Sequence, residues 1–356
     1  MTFLYAILLL GILIVVHELG HFLFAKLLGI KVTKFSLGLG PKLIGKQYGE
    51  TEYLVSAIPF GGYVKMYGEE MSEELREEEK ERAFSTQPIY KRAIVVSAGA
   101  IFNIIFAALL FFMIYIIGVP RLTATVGDLS RGAPADRAGF KKGDTISSIN
   151  GKPVKYWDEI TGIIHDNPGK PIQITVRRAT HAETITVTPE KKASKNIFGE
   201  TISVGLIGIT PTGDAETVRF SVFDAFSMGI KKTWEIIVLT LTAIVKLVER
   251  VVPADTIGGP IMIFQLASKQ AQNGFISFVT LMAVISINLG VFNLFPIPVL
   301  DGGHILYLAI EKFRNKPLSE QIMVVSQKIG LAFLLLLMAF AIYNDVLRLF
   351  KPGGMP

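Results

Sequence analysis

Four long, predominantly apolar runs divide the chain: Thr2 to Leu28, Ile94 to Val119, Ile276 to Pro296 and Ile329 to Leu349. About 20 such residues in helical conformation cross the hydrocarbon of a bilayer, so the pattern predicts four membrane-spanning helices. A fifth stretch, Trp234 to Val248, is shorter, follows Lys231 and Lys232, carries Lys246 and spaces its apolar residues along one face. It reads as an interfacial helix. From Lys31 to Tyr67 the period changes: Tyr53-Leu54-Val55 and Tyr63-Val64-Lys65-Met66 are β-rich, punctuated by Gly38, Gly40-Pro41, Gly49 and Gly61-Gly62, which predicts strands and turns. A sheet edge there could pair with an extended peptide, and an ordinary juxtamembrane hairpin fits the same residues. The mixed-charge run Glu69 to Arg82 reads as a solvated helix with i,i+4 pairs.

Composition agrees with a polytopic membrane protein carrying some soluble mass. Of 356 residues, 50% are hydrophobic and 19% charged, and the mean hydropathy is +0.46, which excludes a simple globular enzyme. With no cysteine, disulfides and thiolate metal ligation are excluded. The net charge of +6 is dispersed over loops beside apolar segments, a pattern that suits a lipid surface and not nucleic acid. The first run lacks a basic leader and a small-residue cleavage pattern, so it is expected to be retained as a helix. Lys26, Lys31, Lys34, Lys91 and Arg92 place the first loop in the cytoplasm and Pro120 to Arg219 outside. If Trp234 to Val248 does not cross, Lys312, Arg314 and Lys316 are also cytoplasmic, with Arg348 and Lys351 as outward exceptions.

Ionisable residues inside a span are costly and mark functional sites by default. His17, Glu18 and His21 spell H-E-x-x-H, and at helical pitch the two imidazoles lie one turn apart, able to grip one Zn2+ with Glu18 beside it as general base. A core helix with two satisfied histidines is the bland alternative. After the third run comes Asn293-Leu294-Phe295-Pro296-Ile297-Pro298-Val299-Leu300-Asp301-Gly302-Gly303-His304, where two prolines force the helix to unwind. Asp301 would complete a His2Asp zinc site with a fourth position left for water, or would serve as a turn carboxylate before Gly302-Gly303. His304, three residues on, competes for the ligand role, and Asp301 is favoured.

The outward segment carries Gly132-Ala133-Pro134-Ala135 and Ala138-Gly139-Phe140 around a short helix, then Gly143-Asp144-Thr145-Ile146 and Ile149-Asn150-Gly151-Lys152 as strand, turn and strand. From Leu122 to Pro211 it resembles a PDZ domain of the bacterial, circularly permuted kind. By that resemblance Gly205, Leu206, Ile207, Gly208 and Ile209 form the strand lining the peptide groove, which would bind an extended chain or a free C-terminus; a domain that only excludes bulk fits equally. H-E-x-x-H on the first span and N-x-x-P-x-x-x-x-D-G on a late one resemble the site-2 protease family of intramembrane zinc metalloproteases, and with the PDZ-like insertion its bacterial regulator-of-sigma-E protease branch. The resemblance implies His17, His21 and Asp301 as zinc ligands, Glu18 as catalytic base, and Asn293, Pro296, Pro298, Gly61 and Gly62 as substrate-binding positions. It departs at Ala98-Gly99-Ala100 before Asn103, where the family carries Ala-Gly-Pro before Asn, and in having one PDZ domain where some members have two.

The expected architecture is a polytopic α-helical membrane protein with about four transmembrane helices, a membrane-associated β-hairpin region and an inserted permuted PDZ domain. Its parts are 1–119 with the first two spans and the cytoplasmic β-rich loop, 120–212 as a periplasmic PDZ domain, 213–275 as a linker with the interfacial helix, and 276–356 with the last spans and the zinc-ligand motif. The implied function is zinc-dependent hydrolysis of peptide bonds within membrane segments in a bacterial inner membrane. The implied partners are the lipid bilayer, single-span membrane protein substrates such as anti-sigma factors already cut outside or signal-peptide remnants, and an upstream site-1-type protease. A metal transporter would not need Glu18 beside a ligand and would show an internal repeat, which is not seen; an inactive PDZ scaffold would tolerate loss of Glu18 or Asp301, and both are present.

Overall fold

The computed structural model describes residues 2–70, 74–178 and 181–350; Lys351 and residues 71–73 of the mixed-charge run lie outside them. The chain divides into two compact units, 1–114 with 224–242 and 253–356, and 115–223 with 243–252.

The first unit opens with helix α1 (Thr2–Leu27), a proline-free run that nothing interrupts until Gly29 takes a left-handed φ of 80°. Strands β1 (Val32–Tyr48) and β2 (Thr51–Met66) follow, joined at Gly49. Both are too long to run straight, and each doubles back: Val32–Leu37 pairs with Gly62–Met66, Lys34–Leu37 has a second set of partners in Glu52–Val55, and Lys42–Tyr48 pairs with Thr51–Ser56. The result is a four-segment sheet with Gly62–Met66 at one edge. A bend at Gly38 requires glycine, since φ is 94° and an added Cβ would meet the Ile58 carbonyl oxygen at 2.7 Å.

Among the described residues of Glu69 to Arg82, only Glu77–Arg82 is helical, as a 3-10 turn and not the expected α-helix; its charges have distant partners, with Glu79 paired to Lys31 and Arg82 2.8 Å from Glu50. Arg82 and Lys26 beside Glu50 hold that carboxyl below the usual carboxylate range. Helix α2 (Ile89–Ile117) begins after Pro88 and ends at Gly118 with φ 115°. Its small residues Ala98, Gly99 and Ala100 are buried, which lets neighbouring backbones approach. A Cβ on Gly20 of α1 would meet the Ala98 carbonyl oxygen at 2.5 Å.

The second unit contains β3 (Val119–Leu122), β4 (Val126–Leu129), α3 (Pro134–Ala138), β5 (Thr145–Ile149), β6 (Lys152–Pro153), α4 (Trp157–His165), β7 (Ile172–Arg178), β8 (His181–Val187), β9 (Glu190–Lys195), β10 (Thr201–Leu206), β11 (Ile209–Pro211) and β12 (Ala215–Val218). Strands β6-β5-β7-β8 form an antiparallel sheet, and β3 pairs with β12 where the chain enters and leaves the unit. Strict alternation along β7 sends Ile172, Ile174 and Val176 into the core with Ile146, Ile149, Trp157, Ile160 and Ile164. Asn150-Gly151, with φ of 49° and 77°, makes the tight turn expected between β5 and β6.

Helix α5 (Val222–Val248) starts twelve residues before the expected Trp234, because no proline lies between them. Its Gly229 packs within 3.0 Å of the α2 backbone, counted from an added Cβ, and Thr240 donates to Asn288 at 2.8 Å. Helices α6 (Pro260–Gln272), α7 (Phe275–Asn293), α8 (Asp301–Arg314) and α9 (Glu320–Phe350) complete the chain. Among the described residues, four helices are long and apolar enough to cross a membrane: α1 from Leu4, α2, α7 and α9. Arg92 at the start of α2 grips Glu311 of α8 with two hydrogen bonds, 3.0 and 2.5 Å, in a half-buried pair.

Candidate metal centre

Three helices build the site. His17 and His21 stand one turn apart on α1 with their rings edge to face, centroids 4.8 Å apart. Asp301 is the first residue of α8, and the loop that delivers it folds tightly: a Cβ on Gly302 would collide with the Phe295 carbonyl, and one on Gly303 would meet the Ile297 carbonyl oxygen at 2.5 Å. The Gly-Gly pair is therefore required by the broken segment that Pro296 and Pro298 impose. Asp301 Oδ2 lies 3.3 Å from His17 Nε2 and 3.6 Å from His21 Nε2, and the two Nε2 atoms are 3.3 Å apart.

His21 is oriented by α2. Its Nδ1 is 2.9 Å from the Val95 carbonyl oxygen, which can only accept, so Nδ1 carries the proton and Nε2 of the neutral ring is bare. Gly99 passes under both rings; an added Cβ would meet His17 Cε1 and His21 Cε1 at 2.8 Å each and His21 Nε2 closer still.

The triangle of donor atoms fits zinc. For ligand distances of about 2.0–2.1 Å, the edge of a tetrahedron is about 3.3–3.4 Å, matching the spacing of the three atoms. Asp301 Oδ2 is buried with no hydrogen-bond partner, and a carboxylate facing imidazole lone pairs repels them unless a cation stands between. Among the described residues His17, His21 and Asp301 form the one such group of metal-capable side chains.

Comparison with known proteins identifies the family. The model of "Peptidase family M50" matches residues 5–337. The chain belongs to peptidase family M50. A relative in Agrobacterium fabrum assigned as a zinc metalloprotease is 35% identical, with 96% of this chain and 94% of the relative covered. The regulator of sigma-E protease RseP of Salmonella typhimurium is 31% identical, over 96% of this chain and 98% of the relative, and that of Escherichia coli is 30% identical, over 96% and 97%. The Salmonella alignment runs over 446 positions, longer than this 356-residue chain, so that relative carries sequence absent here. A PDZ domain of an SdrC-like protein from Listeria monocytogenes is 21% identical over 26% of this chain and 85% of that one, with a TM-score of 0.19, too low to carry an argument. This M50 protease is thus a multi-pass intramembrane zinc metalloprotease of the site-2 type that acts on membrane proteins.

The M50 site opens into a cavity of about 1070 Å³ lined by His17, Glu18, His21, Gly62, Asn293, Asp301 and His304, among others. Glu18 meets the edge segment of β2 there: its Cγ lies 2.9 Å from where a Gly62 Cβ would be, and its carboxylate faces the Val64 backbone N–H. Gly61, Pro296 and Pro298 do not line the cavity. Gly61 packs against Leu39, while the Pro298 carbonyl abuts Gly330 of α9, so the two prolines shape the loop and Asn293 alone of that motif's expected binding residues reaches the open space. His304 stands beside Tyr307, ring centroids 5.9 Å apart, and lies outside the donor triangle.

In the second unit the expected continuous strand from Gly205 to Ile209 is broken. Gly205 and Leu206 end β10, Ile209 begins β11, and Gly208 between them has φ 81°. Ile207 turns into the core, and its carbonyl accepts the Ala135 N–H. Leu206, Ile207, Gly208 and Ile209 nevertheless border a cavity of about 220 Å³ with Trp157, Thr161 and His165 of α4. Gly205 instead packs against the Ile164 carbonyl.

Sequence reading gave Val95 no role, used Arg92 only for orientation, and noted Gly99 only as part of a departure from the family's motif. Only the run of small residues Ala98-Gly99-Ala100 inside an apolar span signalled a close approach.

Proposed function

We propose that His17, His21 and Asp301 hold Zn2+, that Glu18 is the proton-transfer base, and that the enzyme cleaves transmembrane segments of single-span membrane proteins in a bacterial inner membrane. The donor triangle with Glu18 at its side carries the reading. Bound Zn2+ supplies Lewis acidity that polarises a peptide carbonyl and acidifies a water. Glu18 takes a proton from the attacking water at its carboxylate and returns it to the leaving amide nitrogen. The Gly62–Met66 segment, at the edge of the sheet and beside Glu18, is the element that would pair with a substrate that must unwind before cleavage, and Asn293 supplies a polar side chain at the cavity wall. Glu18→Gln should keep stoichiometric zinc by metal analysis and abolish cleavage of a membrane substrate. Retained cleavage would overturn the role of Glu18, and lost zinc would make it a ligand.

The relatives named as regulators of sigma-E proteases support anti-sigma factors already cut outside by a site-1-type protease as the substrate class, with signal-peptide remnants as another source of trimmed segments. On this reading 120–212 is a permuted PDZ domain in the periplasm, 213–275 a linker with an interfacial helix, and 1–119 and 276–356 the catalytic membrane parts. The cavity beside Leu206–Ile209 supports peptide binding there, with entry limited to trimmed chains. Thr161→Trp, which introduces a large ring at a half-buried lining position of α4, should fill that cavity. Cleavage of a trimmed substrate should persist while its preference over the full-length form weakens. An unchanged rate ratio would overturn the screening role.

A further inference from the structure

Asn103 is completely buried in α2. Its Nδ2 lies 3.3 Å from His17 Nδ1, and its Oδ1 is, with Asp301 Oδ2, one of two buried side-chain atoms without a hydrogen-bond partner among the described residues. The orphaned oxygens belong to groups at the two nitrogens of one ring: Asp301 faces His17 Nε2 and Asn103 faces Nδ1. Amide oxygen and nitrogen are nearly isosteric, and which one faces a partner is decided by the hydrogen bonds available. If Nε2 is to donate its lone pair to a metal, the neutral imidazole must carry its proton on Nδ1. An amide NH2 cannot accept that proton, whereas the amide oxygen can.

We infer that Asn103 accepts the Nδ1 proton of His17 through Oδ1 and so fixes the tautomer and ring plane that turn Nε2 toward the metal. The inference rests on His17 being a zinc ligand. It makes Asn103 a positioning residue, and exchanging its amide oxygen and nitrogen gives the orphaned oxygen a partner. Helix α2 then serves both ligands, through the Val95 carbonyl for His21 and through Asn103 for His17. Ser286 of α7 donates to the Asn103 carbonyl at 2.7 Å, holding this turn of α2 in place. The Gly99 carbonyl also faces the His17 ring, so removal of the amide should weaken metal binding without eliminating it.

The test is zinc affinity of the purified full-length protein by chelator competition, with no substrate, for wild type, Asn103→Leu, Asn103→Asp and His17→Ala. Asn103→Leu should bind zinc about 10–100-fold more weakly. Asn103→Asp keeps an acceptor against Nδ1–H and should stay within several-fold of wild type. A packing role predicts the reverse order, since leucine fills the site and a buried carboxylate does not suit it. In the Co2+ form, two paramagnetically shifted exchangeable imidazole N–H resonances are expected in wild type, with that of His17 lost in Asn103→Leu. Wild-type affinity in Asn103→Leu, or weaker binding in Asn103→Asp than in Asn103→Leu, overturns the inference. If the leucine variant does not fold, Asn103→Ser, too short to reach Nδ1, should show the same loss. Wild-type affinity in His17→Ala would instead overturn the ligand assignment itself.

Discussion

Gly99→Ala adds one methyl group beneath the metal site. Its carbon would stand 2.8 Å from Cε1 of both His17 and His21, whereas carbon–carbon contacts settle at about 3.5–4.0 Å, so relief requires a displacement of at least ~0.7 Å. Helix α2 cannot supply it by retreating. Behind it stands α7, where an added Cβ on Gly290 would meet the Ala100 carbonyl oxygen at 2.7 Å. The imidazoles must move, and metal–ligand distances tolerate only about 0.2 Å. Stability should change little, because alanine gains about 1 kcal/mol over glycine in a helix and overpacking costs about 1–3 kcal/mol. Zinc affinity should fall more than ~100-fold, beyond the usual effect of disturbing a ligand's hydrogen-bond partner. Metal analysis after chelator challenge, beside an unfolding titration, measures both. Gly11→Ala, in the same class of apolar helix but with nothing within 4 Å of the added methyl, is the control and should keep zinc. Wild-type zinc affinity in Gly99→Ala would refute the close crossing of α1 and α2.

Buried Asp345 of α9 accepts the Gly259 N–H at 2.9 Å and the Met262 N–H at 3.1 Å and lies 3.4 Å from Arg348. Asp345→Ala leaves two donors and a cation without it, and should cost about 2–4 kcal/mol in a detergent unfolding titration; a loss under about 0.5 kcal/mol would show that water replaces the carboxylate. Glu50 has its carboxyl held low by Arg82 and Lys26. Its contribution is therefore fully present above the unfolded carboxylate pKa of about 4.3 and is lost as pH falls through the lower folded value. Glu50→Gln should flatten the acid limb of stability against pH, and an unaltered limb would count against this cluster.

The sequence by itself determined the elements whose causes are local. Apolar runs of span length became α1, α2, α7 and α9, and helical pitch put His17 and His21 on one face. Pro296 and Pro298 broke the chain before Asp301 whatever surrounded it. Period-two patterning announced strands between Lys31 and Tyr67. It did not show that each strand would double back, which depends on pairings such as Val32 with Met66. The helix expected over Glu69 to Arg82 rested on charge spacing and gave way to Lys31 and Glu50, remote in sequence. Only tertiary structure decided that Asp301 meets histidines some 280 residues earlier, that Gly99 lies under both rings, and that Val95 and Asn103 stand behind them. The physical reason is range: hydrophobic period and proline act over a few residues, while the metal triangle is fixed to a fraction of an ångström by how closely α1, α2 and α8 pack.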